Sequence, residues 1–294
     1  MRGSGWVLPA AALLVSVLPL GAQAESSSAE HGPSVVSFDW GAVDTLEALG
    51  LESHIIGVPY QAAPDYVSHL LEGRADVGGL KSPDLDAIAE LSPEMILITG
   101  RQSASQEDLQ AVAETRDVTL GEGDYFDALS DKVMGLAALY GAEAQAQERL
   151  ETLHADIESA RASLAEGTEA VVVTHNDGHY SLRQEPVVRE LLQIPQPALP
   201  DSVEPVSHGS RTFYPLKPAA IAEMSPDVLF VVDRSAAIGD TPLDPATLKE
   251  ALGSAGGEAI RVEVLSPTLW YLSGDGLKSV RAQMDEITQA LSTP

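Results

Sequence analysis

Arg101 and Arg234 occupy the same place in two copies of one pattern. The stretch AIAELSPEMILITGR (87–101) aligns without a gap to AIAEMSPDVLFVVDR (220–234), a constant offset of 133. Each copy reads as a helix, a Ser-Pro break, an acidic residue, an apolar strand and then the arginine. Ligands of open parallel sheets bind beyond the carboxyl ends of the strands. Two such units facing each other would therefore bring two guanidiniums into one cleft. A guanidinium donates two parallel hydrogen bonds and suits an anionic, oxygen-rich, planar ligand. The competing reading is two surface arginines paired with carboxylates, which this chain has in excess.

The other chemistry-bearing residues are less sharply marked. His175 and His179 flank an Asn-Asp-Gly turn and could pinch a metal, although two donors are few for a site. His208, in SVEPVSHGSRTF, reads as an exposed loop residue. SPTLWYLSGDG (266–276) puts Trp270 and Tyr271 before a run of Ser and Gly. Composition alone makes it a core strand ending in a turn, with both aromatics packed. A phenol beside a flexible turn can equally face a ligand. No nucleophile elbow, phosphate loop, zinc-protease motif or dinucleotide fingerprint is present, and GDGLKS has the wrong spacing for a phosphate loop.

The elements that must position these residues alternate. VVSF, HIIGVP and MILITG read as strands. GAVDTLEALG, DLDAIAEL and SASQEDLQAVAET read as the helices between them. Residues 127–167 are helical, bent at Gly141. Ala144, Leu150, Leu153, Ile157, Ala160 and Leu164 make one face of a long helix over 142–166. After it come two strands about the Asn-Asp-Gly turn, a helix from Pro186, the strand EAIRVEVL and a terminal helix, GLKSVRAQMDEITQAL. Alternating strands and helices predict an α/β fold with mostly parallel sheets. The expected organisation is a lobe at 34–140, a linking helix at 141–167 and a second lobe at 168–294.

Bulk properties narrow the classes. Arg2, an apolar run from Trp6 to Leu20 and Ala22-Gln23-Ala24 read as a secretory signal peptide over 1–24, followed by a polar leader at 25–33. The chain has no cysteine, so it uses no disulfides and lacks the residue that would carry a lipid anchor. The expectation is a free protein of a Gram-negative periplasm. Net charge is −27 over the full sequence, and −28 once 1–24, with one arginine and no acid, are removed. Such a field argues against nucleic acid and against adhesion to anionic membrane. No later stretch is apolar enough to insert into a bilayer.

Taken together, VVSFDWGAVDTLEALG, VGGLKSPDLDAIAELSPEMILITGRQ, DVLFVVDRSAAIG and LSPTLWYLSGDGLKS resemble the periplasmic ferric-siderophore binding proteins of ABC importers, the catecholate group above all. The resemblance runs from about residue 34 to 291. It implies two Rossmann-like lobes bridged by one long helix, with a shallow ligand cleft between them, no enzymatic activity and no intrinsic cofactor. It implies a monomer that carries an Fe(III)-siderophore, tetradentate or mixed catecholate, to an inner-membrane ABC permease. Three arginines of the group fall on Arg101, Arg183 and Arg234. An iron-ligating histidine and tyrosine fall on His208 and Tyr271, with Trp40 and Lys81 as further cleft residues. Glu90 and Glu223, at matching helix ends, are the permease-docking candidates. One departure is YSLRQEPVVRELL: Gln184, Glu185 and Pro186 replace a glycine-rich stretch, and Glu185 brings negative charge towards the ligand. Competing readings are haem or cobalamin on the same fold, and an exported metal-dependent hydrolase using His175 and His179.

Overall fold

The computed structural model describes residues 1, 3, 32–209 and 211–292. The expected signal peptide, residues 1 and 3 apart, and the leader up to residue 31 lie outside the described residues. The first half runs β1 (Val35–Ser37), α1 (Trp40–Ala48), β2 (Ile55–Val58), β3 (Ala75–Asp76), β4 (Gly78–Gly79), β5 (Ser82–Pro83), α2 (Leu85–Leu91), β6 (Met95–Ile98), α3 (Gln106–Val112), β7 (Glu114–Asp117) and α4 (Tyr125–Ala137). Then comes α5 (Glu143–Ser163), 21 residues long. The second half runs β8 (Ala170–Asn176), β9 (His179–Leu182), β10 (Val206–His208), β11 (Arg211–Phe213), α6 (Pro218–Met224), β12 (Val228–Asp233), α7 (Arg234–Ala237), α8 (Pro245–Gly253), β13 (Arg261–Leu265), α9 (Pro267–Tyr271) and α10 (Leu277–Ser292).

Two sheets result. The first, in order β3-β2-β1-β6-β7, is parallel throughout. The second, β13-β12-β8-β9, is parallel except for the hairpin between β8 and β9. The central strands β6 and β12 are buried along their whole length. This is why they read as continuous apolar runs rather than alternating ones. The α/β expectation holds.

The repeat is structural as well as sequential. Ile88 and Ile221, 133 apart, are both fully buried on α2 and α6. Both helices end on a serine in the left-handed region, Ser92 (φ 49°) and Ser225 (φ 50°), each ahead of a proline. The two copies thus enter their strands by the same turn.

On α5, Leu150, Leu153 and Ile157 form the expected buried face, but it begins with Ala146 rather than Ala144, which is exposed; the buried four follow the 4, 3, 4 spacing of a single stripe. At 1.5 Å per residue the helix is about 32 Å long. It packs against α4 and α10. Terminal α10 crosses back to lie on α1 as well. One apolar core therefore runs through both halves, taking in Leu97, Ile157, Phe230 and Val280.

Two local expectations are corrected. Residues 267–271 form a short helix, with Pro267 in its first turn where the missing N–H costs nothing. The stretch read as helix through residue 115 ends at Val112, and the polar edge strand β7 follows.

Candidate functional site

Both repeat arginines sit where their strands end. After β6, Thr99 caps a short helical turn: its side chain accepts from Arg101 N, and its own N–H donates to Gln102 Oε1 at 2.9 Å. After β12, Asp233 caps α7 by accepting from Ala236 N at 3.2 Å, and Arg234 is the first residue of that helix. Arg183 leaves the end of β9, and its backbone N–H donates to Val172 O at 2.9 Å.

All three guanidiniums close on the end of α9. Arg101 donates to Tyr271 O at 2.5 Å and Leu272 O at 3.4 Å. Arg183 donates to Trp270 O at 3.1 Å, and Arg234 Nε donates to the Tyr271 phenol oxygen at 2.8 Å. The last carbonyls of a helix have no partners within it, and here Arg101 and Arg183, from two other elements, supply them. The Arg101 and Arg234 guanidinium carbons lie 5.7 and 5.6 Å from the Tyr271 ring centre, within cation–π range. Desolvation by the surrounding protein lowers Arg101 below its ordinary pKa, and the like charge of Arg183 adds to this while Tyr271, Asp39 and Asp275 oppose it.

The Trp-Tyr pair divides its work. Trp270 is fully buried and its indole N–H donates to Glu286 Oε2 at 2.6 Å, fixing α9 on α10. Tyr271 is only partly covered and borders both cavities of the cleft. The larger cavity, about 1070 Å³, takes in Arg101, Arg183 and Tyr271. The smaller, about 580 Å³, takes in Arg101, Arg234 and Tyr271. Lys81 borders both. Arg101 and Tyr271 thus stand as a bar between two chambers.

Glu185 does enter this site. It is 4 % exposed and accepts from Arg183 Nε at 2.5 Å. Burial raises its pKa and Asp275 adds to the rise, while Arg183 opposes both.

Other expected residues fall elsewhere. Trp40 is 1 % exposed and belongs to the core, so it does not face the cleft; residue 40 starts α1, whose first turn is buried on all sides. The backbone of His208 lies in β10, paired with Arg211, but its side chain is outside the described residues. His175 is buried and has both ring nitrogens engaged: Nδ1 pairs with Asp233 Oδ1 at 2.7 Å and Nε2 accepts from Gly178 N at 3.0 Å. Burial tends to raise Asp233, but the bonds from His175, Leu243 and Ala236 hold it below the usual carboxylate range. The pair is a structural lock at the end of two strands. No group of three or more metal-ligating side chains occurs among the described residues, which removes the footing of the His175–His179 metal site. Glu90 and Glu223 are both exposed near the ends of α2 and α6.

Several residues around the site gave no sequence signal. Asp44 on α1 is fully buried and accepts from Lys278 N and Ser279 N, each at 3.0 Å, at the start of α10. Tyr66 donates to Asp44 Oδ2 at 2.7 Å, and its oxygen lies 2.6 Å from Ser273 Oγ. Tyr125 donates to Asp275 Oδ1 at 2.8 Å. Gly276 is there for α1: a Cβ on it would lie 2.3 Å from Asp44 Oδ1 and from Gly41 O. That glycine serves helix packing rather than the approach of a ligand.

Comparison with known proteins identifies the family and the fold. The family model described as periplasmic binding protein matches residues 35–261. The petrobactin-binding protein YclQ of Bacillus subtilis is 30 % identical over 270 residues, 87 % of this chain and 82 % of its own. Its crystal structure superposes with a TM-score of 0.78 at 27 % identity, covering 90 % and 93 % of the two chains. The ferric-anguibactin-binding protein FatB of Vibrio anguillarum is 25 % identical over 274 residues, 86 % of this chain and 80 % of its own. The iron-uptake substrate-binding protein PiuA of Streptococcus pneumoniae superposes at TM-score 0.74 with 29 % identity, over 88 % and 93 %.

Proposed function

The chain belongs to the periplasmic binding-protein family, and from that premise we propose that it captures a ferric siderophore outside the cytoplasm and hands it to an ABC permease for iron uptake. Its relatives are binding proteins rather than enzymes, so the hydrolase reading is set aside. The observation that carries the proposal is the meeting of Arg101, Arg183 and Arg234 on the end of α9, at Trp270 and Tyr271, beside two cavities. Fe(III) is a hard ion that prefers oxygen donors. Two catecholates supply four of them and leave a singly negative complex with two open positions. Tyr271 offers a phenol oxygen for one, and His208 is the candidate for the other. The arginines supply the positive charge that an anionic ligand requires inside a strongly acidic protein.

Cobalamin would have no use for three converging arginines, which favours the siderophore within this fold. The remaining assignments stand beside this reading: a monomer, exported through residues 1–24 to the periplasm without a lipid anchor, docking its permease through Glu90 and Glu223. Tryptophan fluorescence, with Trp270 beside the site, tests the ligand class in titrations with ferric bis-catecholate, ferric hydroxamate, haem and cobalamin. The expected result is quenching by the ferric catecholate at the lowest concentration. Quenching by haem alone would overturn the assignment.

A further inference from the structure

The two chambers differ in charge. The smaller is bordered by Lys81, Arg101 and Arg234 and by no carboxylate. The larger is bordered by Lys81, Arg101 and Arg183 but also by four acids, Glu122, Glu185, Glu190 and Asp275. An anion filling both chambers would meet repulsion in the second. Three of these acids are held in place: Glu185 by Arg183, Asp275 by the Tyr125 hydroxyl, and Glu190 by Tyr125 N at 3.0 Å. A carboxylate has more acceptor positions than one hydrogen bond fills, so each retains capacity.

A second observation points the same way. Gln283, 3 % exposed, borders the same chamber, and its Oε1 has no hydrogen-bond partner. Its Nε2 is committed to Leu269 O at 3.4 Å. Buried acceptors are seldom left unpaired without a reason. The acids and this amide together lack one kind of group, a donor, and a cationic donor answers all of them at once.

We propose that the larger chamber holds a protonated amine arm of the ligand whose ferric, anionic head lies against Arg101, Arg234 and Tyr271. The cargo is then a siderophore of mixed charge, and the chamber selects it over a wholly anionic one. This rests on the ferric-siderophore reading and narrows it.

The test compares two synthetic ferric bis-catecholates of equal length, one with a free secondary amine in its linker and one with that amine acetylated, by fluorescence titration at fixed salt. The amine form should bind the wild-type protein at least tenfold more tightly. In the double variant E122Q/E190Q, both exposed positions, and separately in Gln283→Leu, the ratio of the two affinities should fall towards one. Equal binding of the two probes by the wild type, or a ratio untouched in both variants, overturns the amine chamber and leaves the ferric reading standing. Binding of neither probe, with haem or cobalamin bound instead, overturns the ferric reading itself.

Discussion

Asp44 offers the sharpest quantitative test of how this molecule is assembled. It is fully buried under the start of α10, and burial lifts its pKa from 3.8 to about 6 against hydrogen bonds from Ser279, Tyr66 and Lys278 that work to lower it. A carboxyl whose pKa is higher folded than unfolded binds its proton more tightly in the native state. The stabilisation is then complete below the unfolded value and disappears as pH rises through the folded one. At 1.36 kcal/mol per unit, the shift is worth roughly 3 kcal/mol in all. Integrating the linkage relation leaves roughly 2 kcal/mol to be read between about pH 4.5 and pH 7.5. The perturbation is Asp44→Asn, which has the same shape and does not titrate. Turning an amide nitrogen towards the N–H groups of Lys278 or Ser279 adds a loss independent of pH, so only the change of the difference with pH matters. Urea unfolding followed by circular dichroism supplies it, since other carboxylates act alike in both proteins. The wild type should lose roughly 2 kcal/mol relative to Asp44→Asn over that interval. Two parallel stability curves would refute the reasoning, because the hydrogen bonds would then fully offset the burial.

The remaining predictions concern the site and its supports. Tyr271→Phe should abolish the visible phenolate-to-iron charge-transfer band with a tetradentate ferric complex; a persisting band would show that Tyr271 does not ligate iron. Arg234→Gln removes a charged donor, worth about 1.5–3 kcal/mol, and should weaken the ferric complex about tenfold to a hundredfold in the same titration. Gly276→Ala drives a methyl group against Asp44 and Gly41 and should lower stability by about 1–3 kcal/mol, read as a fall in the thermal midpoint. Glu90→Arg with Glu223→Arg should abolish permease-dependent iron uptake while leaving the fluorescence titration as in the wild type.

What the sequence discloses follows from where each signal resides. The strands β6 and β12 and the stripe on α5 were legible because burial of a whole strand or of one helix face imposes a pattern within a dozen residues. The arginine pair was legible because the repeat carries it. α9 was not: its aromatic pair lies in a five-residue helix, too short for periodicity, whose place is set by Trp270 on Glu286. Neither was β7, whose residues are mostly exposed, since an edge strand of polar residues has no apolar alternation to display. Trp40 was misplaced because aromatic type alone does not say which side of a helix faces inward. Asp44 and Gln283 act through partners more than 200 and about 14 residues away. A buried acid among 44 acidic residues has nothing local to single it out.

The shared core also bears on how the cleft can work. Leu97 and Phe230 come from the two central strands, Ile157 from α5 and Val280 from α10, and all four lie in one cluster. A wide rotation of one half against the other would expose that surface, at about 25 cal/mol for each Å² of apolar area returned to water. Rearrangement of side chains is far cheaper. Arg101 is tied to the end of α9 by backbone carbonyls and Arg234 by the Tyr271 phenol, whereas Arg183 bonds the Trp270 carbonyl and also keeps its ion pair with Glu185. A charged acceptor forms a stronger bond than a neutral one, so an anionic head can take over Arg101 and Arg234 with little penalty. On the ferric-siderophore reading, ligand capture then needs only the Arg101 and Arg234 side chains to exchange partners, Arg101 leaving the α9 carbonyls, while the shared core keeps the two sheets in place.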